Sequence, residues 1–339
     1  MTVDIKDVDF DTELEQGAGN AVNICLRVKP EERVTIITDN ETIEIAASLA
    51  NQIDKIGSDY KVFVLEDYVN RPTKIMPHEI LDHLSKSNVS IFAAQALQGE
   101  LPSRVQMTAV VDQYRIRHAH MVNITKTIMT QGMRADFMEV DAISTRLIDI
   151  TSKAKTIRAT SKGGSELNVE FSPDLKWIKT SGLISVNKWG NLPGGEIFTS
   201  PANVNGRFVV DGVVGDYMCR KYGSLKETPL IIDIKDSRID KMTCDNEELL
   251  QEFTEYTMTD ENSNKVGEFA IGTNIALKEV IGNILQDEKL PSIHMAFGHP
   301  YSEHTGAKWS STTHNDCVGT HFDIWADDLK VMEDGKFLI

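Results

Sequence analysis

Histidine and aspartate residues with the spacing of metal ligands occur near the carboxyl end of the chain. Five of the nine histidines lie within residues 292–323, which contain His321 and Asp323 two positions apart. Alternate side chains of a strand share a face, so we expect His321 and Asp323 to point the same way and to chelate a divalent metal. His294 lies in residues 291–298, a short apolar segment. Both segments predict buried strands that carry metal ligands.

Two further segments place a single carboxylate among glycine and apolar residues. Glu196 follows two glycines, and Glu268 follows one. Such a carboxylate is costly to bury unless it is paired or bound to a cation. With the histidine segments this gives three carboxylates and two imidazoles, a donor set suited to two divalent ions. The predicted metal ligands are Glu196, Glu268, His294, His321 and Asp323.

The first half of the chain alternates β-branched, apolar segments with amphipathic ones. The predicted strands are residues 33–38, 60–65, 89–94 and 119–124, and the predicted helices are residues 41–56, 77–85, 103–116 and 136–151. This alternation predicts a doubly wound, mostly parallel sheet with helices on both faces. The sequence contains neither a Gly-x-Gly-x-x-Gly motif after the first strand nor a Walker motif, so it gives no reason to infer nucleotide binding.

The pattern changes near residue 153. Residues 157–171 contain two β-like segments around a Lys-Gly-Gly-Ser turn, and further β-rich segments follow at 206–210 and 230–234. A turn of this kind predicts a hairpin. We therefore predict an α/β scaffold domain over residues 1–152 and an α+β domain with antiparallel sheet over residues 153–339, which carries the metal site.

The overall composition is that of a soluble, acidic protein. The chain has 35 basic and 51 acidic residues, a net charge of -16, which disfavours nucleic acid as a partner. Neither a signal peptide nor an apolar segment of membrane-spanning length is apparent, so we expect a cytoplasmic protein without a membrane partner. The four scattered cysteines are interpreted as reduced thiols.

Four of the segments described above resemble, in order, those of the aminopeptidase T family, the thermophilic metallo-aminopeptidases. They are the Gly-Gly-Glu-Ile-Phe-Thr-Ser-Pro around Glu196, the Gly-Glu of Glu268, the His-Met-Ala-Phe-Gly of His294 and the His-Phe-Asp of His321 and Asp323. Tyr301, seven residues after His294, falls where the family has its active-site tyrosine. The resemblance covers most of residues 185–339 and extends to the first half only in architecture.

The resemblance implies an enzyme that removes amino-terminal residues from peptides, with a pair of zinc or cobalt ions per chain and a homodimeric assembly. The five predicted ligands would hold the ions, which activate a shared water. Tyr301 and Glu268 are the implied catalytic residues, and Tyr301 would donate a hydrogen bond to the oxyanion. Where the family has a further metal-binding glutamate, this chain has Asp287-Glu288-Lys289, so Glu288 is the candidate equivalent and a candidate proton shuttle.

Two other functions are compatible with the same residues. His294, His321 and Asp323 alone would form the facial triad of a mononuclear iron dioxygenase that cleaves rings, although the two glutamates would crowd such an iron. A non-catalytic binding protein is the third interpretation. We place the remaining histidines of the segment, His299, His304 and His314, in a loop at the mouth of the site.

Overall fold

The structure is a computed structural model that describes residues 4–339. Residues 1–3, part of the amino-terminal segment that showed no signal peptide, lie outside the described residues. The chain divides into two compact units, one formed by residues up to 137 with residues 182–194, the other by residues 138–181 and 195–339. This division differs from the sequence-based boundary near residue 152 by the helix Phe137–Thr151 and by the return of residues 182–194 to the first unit.

The elements are numbered in chain order. The strands are β1 (Arg33–Thr38), β2 (Asp59–Val64), β3 (Val89–Ala93), β4 (Arg117–His120), β5 (Thr156–Ser161), β6 (Glu166–Glu170), β7 (Ile178–Lys179), β8 (Gly190–Asn191), β9 (Glu196–Thr199), β10 (Asn203–Val210), β11 (Leu230–Lys235), β12 (Arg238–Thr243), β13 (Val266–Gly272), β14 (Ile293–Gly298), β15 (His314–Val318), β16 (Phe322–Ala326), β17 (Leu329–Glu333) and β18 (Lys336–Phe337). The α-helices are α1 (Glu15–Gly19), α2 (Ile43–Ile56), α3 (His78–Leu84), α4 (Leu101–Tyr114), α5 (Lys126–Thr130), α6 (Phe137–Thr151), α7 (Asp216–Tyr222), α8 (Glu247–Tyr256), α9 (Ile284–Asp287) and α10 (Ser302–Thr305). Short 3-10 helices and one π-helical segment add Ile5–Asp7, Thr12–Leu14, Asn20–Cys25, Leu65–Asp67 and Gly132–Arg134.

The first unit is built on a parallel sheet with strand order β2-β1-β3-β4-β8. The predicted alternation of strands and helices is confirmed, because β1 and β3 are largely buried, β2 is half-buried, and each of the three is followed by a helix. Helix α2 ends at Gly57, whose positive φ of 81° is a conformation that glycine adopts without steric cost.

The second unit contains two antiparallel sheets. One has the order β12-β11-β10-β6-β5-β16-β17-β18, and the other has the order β15-β14-β13-β9-β7. The predicted hairpin forms between β5 and β6. Apolar side chains of both sheets, such as Phe208, Phe269 and Phe322, share one core cluster. The predicted fold class is therefore confirmed: a parallel sheet in the first part of the chain, followed by antiparallel sheets.

Candidate metal centre

One face of the five-stranded sheet carries the acidic and imidazole side chains. Glu268 on β13 pairs with Ala296 on β14, which pairs with Asp316 on β15. Directly paired residues share a face, and so do residues two apart along a strand. By this rule the face also includes Glu196, His294 and His314, whose strand partners are Gly272, Ala270 and Gly298 respectively.

The opposite face of the same strands is apolar. Ile197, Phe269, Ile271, Met295 and Phe297 alternate with the polar positions and belong to the core cluster. Strict alternation explains how the sequence directs one set of side chains into the core and the other toward the candidate site. The strands are buried on both faces, so the polar side chains are held in a largely water-free setting.

Small residues leave room on the polar face. Its positions between the charged groups include Ala270, Gly272, Ala296 and Gly298. At Gly272 an added Cβ would lie only 1.9 Å from the carbonyl oxygen of Leu290, so the backbone of residues 289–290 runs directly against this glycine. Because Gly272 pairs with Glu196, this close approach brings the segment containing Lys289 beside Glu196.

The five side chains form two groups with one shared member. Possible ligand atoms of Glu196, Glu268 and His294 lie within 4.8 Å of one another, and so do those of Glu268, His314 and Asp316. His294 Nε2 is 3.4 Å from Glu196 Oε2 and 3.5 Å from Glu268 Oε1. His314 Nε2 is 3.3 Å from Asp316 Oδ1 and 3.7 Å from Glu268 Oε2. Glu268 thus faces both imidazoles, one through each oxygen.

Hydrogen bonding within the cluster is incomplete. Glu268 Oε2 and His294 Nδ1 are buried and make no hydrogen bond to any described residue. An unpaired buried carboxylate oxygen is costly, and a cation bound there would remove that cost. His314 Nδ1 donates to the carbonyl oxygen of His299 at 2.9 Å, which leaves Nε2 as the ring nitrogen that faces the carboxylates. This outer hydrogen bond is typical of histidine that binds a metal, so the residues present fit a divalent ion.

The carboxylates of the cluster raise the pKa values of its two histidines. Burial alone would lower the pKa of His314, but Asp316 and Glu268 together outweigh it and raise the pKa to about 10. Burial would also lower the pKa of His294, but Glu268 and Glu196 raise it to about 9. Burial raises the pKa of Glu268. The raised pKa values of the three residues reflect an excess of negative charge in the cluster, which a bound cation would balance.

A buried lysine adds one positive charge at the edge of the cluster. Lys289 Nζ lies 2.7 Å from Glu196 Oε2 and 2.6 Å from Glu288 Oε1, and its side chain is 2% exposed. The other oxygen of Glu196 accepts a hydrogen bond from the Thr180 hydroxyl at 2.7 Å. Burial would lower the pKa of Lys289, but Glu196 and Glu288 raise it, so the ammonium is retained. Burial raises the pKa of Glu288 to about 7.

Tyr301 lies against this cluster. Its ring centroid is 4.6 Å from that of His314 and 5.7 Å from that of Phe198. Its φ of 47° is in the left-handed region, which is uncommon for a residue other than glycine and occurs often at functional sites. Burial, together with the charges of Glu268 and Asp316, raises the pKa of the phenol, so the hydroxyl keeps its proton and can donate it in a hydrogen bond.

The structure brings three of the five predicted ligands together, Glu196, Glu268 and His294. His321 and Asp323 lie elsewhere, and their expected convergence with the others is wrong. β16 belongs to the eight-stranded sheet, where it pairs with β5 and β17. Asp323 accepts hydrogen bonds from Lys330 and from the Asp334 backbone N–H.

His321 and Asp323 both contact Asp334 and not the cluster on the five-stranded sheet. His321 precedes the strand, has a φ of 56°, is 61% exposed and pairs with Asp334. It follows that His294, His321 and Asp323 do not form the facial triad of the dioxygenase alternative. Each group of possible ligands found in the described residues instead contains one histidine and two carboxylates.

His314 and Asp316 occupy the places that the prediction gave to His321 and Asp323. The sequence contains a signal for them, because His314 and Asp316 are also two residues apart and lie in the same histidine-rich segment. His314 lies in strand β15 beside β14 and not in a loop at the mouth of the site. Of the other two histidines placed in that loop, His299 follows β14 and contacts Tyr301, whereas His304 is an exposed residue of α10.

Comparison with known proteins agrees with this geometry. The sequence model of the thermophilic metalloprotease family (M29) matches residues 138–332, more than half of the chain and all of the candidate site. The chain belongs to this metalloprotease family. The resemblance seen in the sequence motifs is thereby confirmed, and the family implies a divalent metal. No curated protein matches the sequence significantly.

Two solved structures share the fold of this metalloprotease. AmpT from Thermus thermophilus is 16% identical, with 98% of this chain and 100% of that chain covered and a TM-score of 0.69. The 2,5-dihydroxypyridine dioxygenase from Pseudomonas putida KT2440 is 15% identical, with coverage of 99% and 98% and a TM-score of 0.68. At such identities the likeness shows the fold alone. Within residues 4–339 no helix combines the length and the apolar character needed to cross a membrane.

Proposed function

We propose that this metalloprotease is an aminopeptidase that releases amino-terminal residues from peptides. The observation that carries the proposal is the shared carboxylate Glu268, buried between two imidazoles with one oxygen that accepts no hydrogen bond from the described residues. The candidate ligands are Glu268, His314 and Asp316, together with Glu196 and His294. Zinc and cobalt both suit this mixed set of oxygen and nitrogen donors. The sequence-based expectation of two ions per chain stays a prediction.

A bound divalent ion would supply Lewis acidity and a water whose pKa is lowered toward about 7. The protein's own groups would provide the remaining functions. Tyr301, kept neutral, would donate a hydrogen bond to the oxyanion that forms from the scissile carbonyl. Glu288, which lies 2.6 Å from Lys289 at the edge of the cluster and whose pKa is raised by burial, would be the candidate proton shuttle.

Selectivity for a free amino terminus follows from the charge of the site. Four buried or half-buried carboxylates, Glu196, Glu268, Glu288 and Asp316, are accompanied by one ammonium, Lys289. With one divalent ion bound, these groups would keep a net charge of about -1, which would attract the cationic amine of a peptide and disfavour its acidic carboxyl terminus. An acylated amino terminus lacks the charge, so we expect it to be a poor substrate.

The proposal extends to partners and location. Peptides are the expected substrates, and the net charge of -16 disfavours nucleic acid. A homodimer in the cytoplasm, without a membrane partner, is what the family resemblance and the composition lead us to expect. Light scattering coupled to size-exclusion chromatography tests the dimer, and fractionation of the source cells tests the location.

Peptide hydrolysis by reconstituted protein tests the function. Chelator-treated protein is reloaded with Zn²⁺ or Co²⁺ and given aminoacyl-p-nitroanilides, short peptides and the same peptides N-acetylated. We expect cleavage of the free forms and little or none of the acetylated forms. Failure of both metal forms to cleave any free peptide would contradict the proposal and favour a non-catalytic binding protein.

Two matched variants locate the active groups. Asp316→Asn should abolish cleavage, whereas Asp323→Asn should retain it, although each aspartate is the last residue of a His-x-Asp sequence. Asp323 provides the control because its partners are Lys330 and the backbone of Asp334, outside the candidate site. The reverse pattern would contradict the assignment of the ligands.

A further inference from the structure

We propose that the ammonium of Lys289 takes the place of one of the two predicted ions. The chain would then bind a single divalent ion, held by Glu268, His314 and Asp316. This inference rests on the proposed metal-dependent function and specifies which part of the cluster holds the ion. It departs from the two ions that the sequence predicts, and it follows from how each carboxylate oxygen is already used.

Glu196 is fully engaged by the protein. Its Oε2 is 2.7 Å from the Lys289 ammonium, and its Oε1 accepts the Thr180 hydroxyl at 2.7 Å. An ion on Glu196 would have to share an oxygen with one of these donors. It would also lie next to a buried ammonium, and two cations in contact repel strongly where water is excluded.

Lys289 has no alternative position in which to place its charge. Its side chain is 2% exposed, and its second partner, Glu288, is 12% exposed. The backbone around it is fixed as well, because the Lys289 carbonyl accepts the Asn274 N–H and the next carbonyl lies against Gly272. The ammonium is therefore a permanent part of the site.

The group formed by Glu268, His314 and Asp316 is free of such competition. Glu268 Oε2 has no hydrogen-bond donor among the described residues, and the nearest cationic group to Asp316 Oδ1 is the His314 imidazole at 3.3 Å. His314 alone of the two imidazoles has its Nδ1 held by a backbone carbonyl, whereas His294 Nδ1 makes no hydrogen bond to the described chain. The ligand orientation typical of a metal site is thus present on one side only.

The chemical consequence concerns Glu196 and His294. Without an ion of their own they would act as positioning residues: Lys289 and Glu196 would fix the charge beside the ion, and His294 would bridge Glu196 and Glu268. Loss of Glu196 should then weaken peptide turnover without emptying the metal site. Loss of Asp316 should empty it.

Metal content measured on folded protein tests the inference. Wild-type protein is stripped with chelator, reloaded with excess Zn²⁺ or Co²⁺, desalted and analysed by mass spectrometry for metal per chain. We expect one ion in the wild type, one in Glu196→Gln and none in Asp316→Asn. Two ions in the wild type would overturn the inference, and so would loss of the ion in Glu196→Gln with retention in Asp316→Asn.

Replacement of the lysine gives the complementary result. Lys289→Met removes the ammonium at similar volume and frees Glu196, so metal content should rise from one ion to two. Lys330→Met is the control, because Lys330 also pairs with two carboxylates but outside the site, and its metal content should stay at one. A folded Lys289→Met protein that still binds one ion would contradict the proposal that the ammonium and a second ion compete for Glu196. If this variant does not fold, the comparison of Glu196→Gln with Asp316→Asn decides.

The same samples separate this inference from the proposed function. A wild-type chain with one ion that cleaves no peptide would refute the aminopeptidase and leave the one-ion site intact. A chain that binds two ions and cleaves peptides would support the aminopeptidase and refute the one-ion site.

Discussion

Two buried clusters of charge in this protein differ in how completely their polar atoms are paired. In the first unit, Arg71 donates to Asp39 at 2.8 Å and to both oxygens of Glu100 at 3.0 and 2.7 Å, and all three side chains are at most 5% exposed. In the second unit, Glu268 and His294 are as deeply buried, but each has an atom that makes no hydrogen bond to the described residues.

The paired cluster is structural. Asp39 follows β1 and also accepts hydrogen bonds from Thr42 and from the backbone N–H of Gln95, which follows β3. This is the carboxyl edge of the parallel sheet between β1 and β3, where doubly wound folds often bind ligands. Here the protein's own side chains occupy that edge. Complete internal pairing thus indicates a role in stability, whereas a buried carboxylate oxygen without a donor indicates a place for an external cation.

The largest effect is expected on breaking the paired cluster. Arg71→Leu would leave Asp39 and Glu100 buried without their cation, so the free energy of unfolding should fall by about 3–5 kcal/mol. Denaturant titration measures the loss. The exposed pair of Lys86 and Asp82 gives a control, in which Lys86→Leu should cost less than about 1 kcal/mol. If Arg71→Leu lowered the free energy of unfolding by less than about 1 kcal/mol as well, the structural role of the paired cluster would be contradicted.

The second effect concerns the incomplete cluster. Glu268→Gln should reduce peptide cleavage by about 1000-fold, since loss of a direct ligand should exceed the roughly 10- to 100-fold cost of an outer partner. Stability of the metal-free protein should hold or increase, because a neutral amide of similar volume replaces a buried carboxylate whose Oε2 accepts no hydrogen bond from the described residues. Metal analysis and chelator-treated denaturation are the two measurements. Full metal occupancy with full activity would refute the ligand assignment, and Glu303→Gln, on the exposed α10, is the control.

A smaller effect tests the chemistry at the edge of the cluster. Tyr301→Phe should lower kcat by about 100-fold, as expected for loss of one oxyanion donor, with metal content and KM nearly unchanged. Tyr222→Phe, which removes a hydroxyl bonded to Glu252, should leave kcat alone. An unchanged kcat in Tyr301→Phe would assign Tyr301 a packing role against His314 and Phe198.

The smallest effect is a pH dependence that distinguishes metal-free from metal-bound protein. Folded pKa values of about 9 for His294 and about 10 for His314 lie above the ordinary 6.5. Their contribution to stability is therefore fully present below about pH 6.5 and is lost as pH rises through 9 to 10. Thermal unfolding with chelator should show this decline in Tm, and bound metal should reduce it because it replaces the protons. A metal-free Tm that rises over this range in the wild type, but not in His314→Gln, would contradict the assignment.

Much of the fold is predictable because its signals are local. The alternation of apolar strands with amphipathic helices predicts the parallel sheet of the first unit, and the Lys-Gly-Gly-Ser turn predicts the β5–β6 hairpin. Strand β8 has no such signal, since its pairing of Gly190 and Asn191 with β4 depends on where residues 182–194 are placed by the rest of the chain.

The candidate site shows the same limit. Glu196, Glu268 and His294 are predictable because each stands alone in an apolar strand. His314 and Asp316 have the same spacing as His321 and Asp323. The two pairs differ in which strands lie beside them, and strand pairing depends on residues far away in the sequence. One local signal favours the correct pair: Phe322, Ile324 and Ala326 are the buried positions of an alternating strand, which places Asp323 on its more exposed face.

An anomalous difference map from crystals soaked in Zn²⁺ or Co²⁺ shows where an ion binds. We expect a peak with Glu268, His314 and Asp316 as its nearest ligands, at metal–ligand distances of about 2.0–2.2 Å. A peak at His321 and Asp323, or the absence of any peak on the polar face of the five-stranded sheet, would contradict this assignment of the ligands.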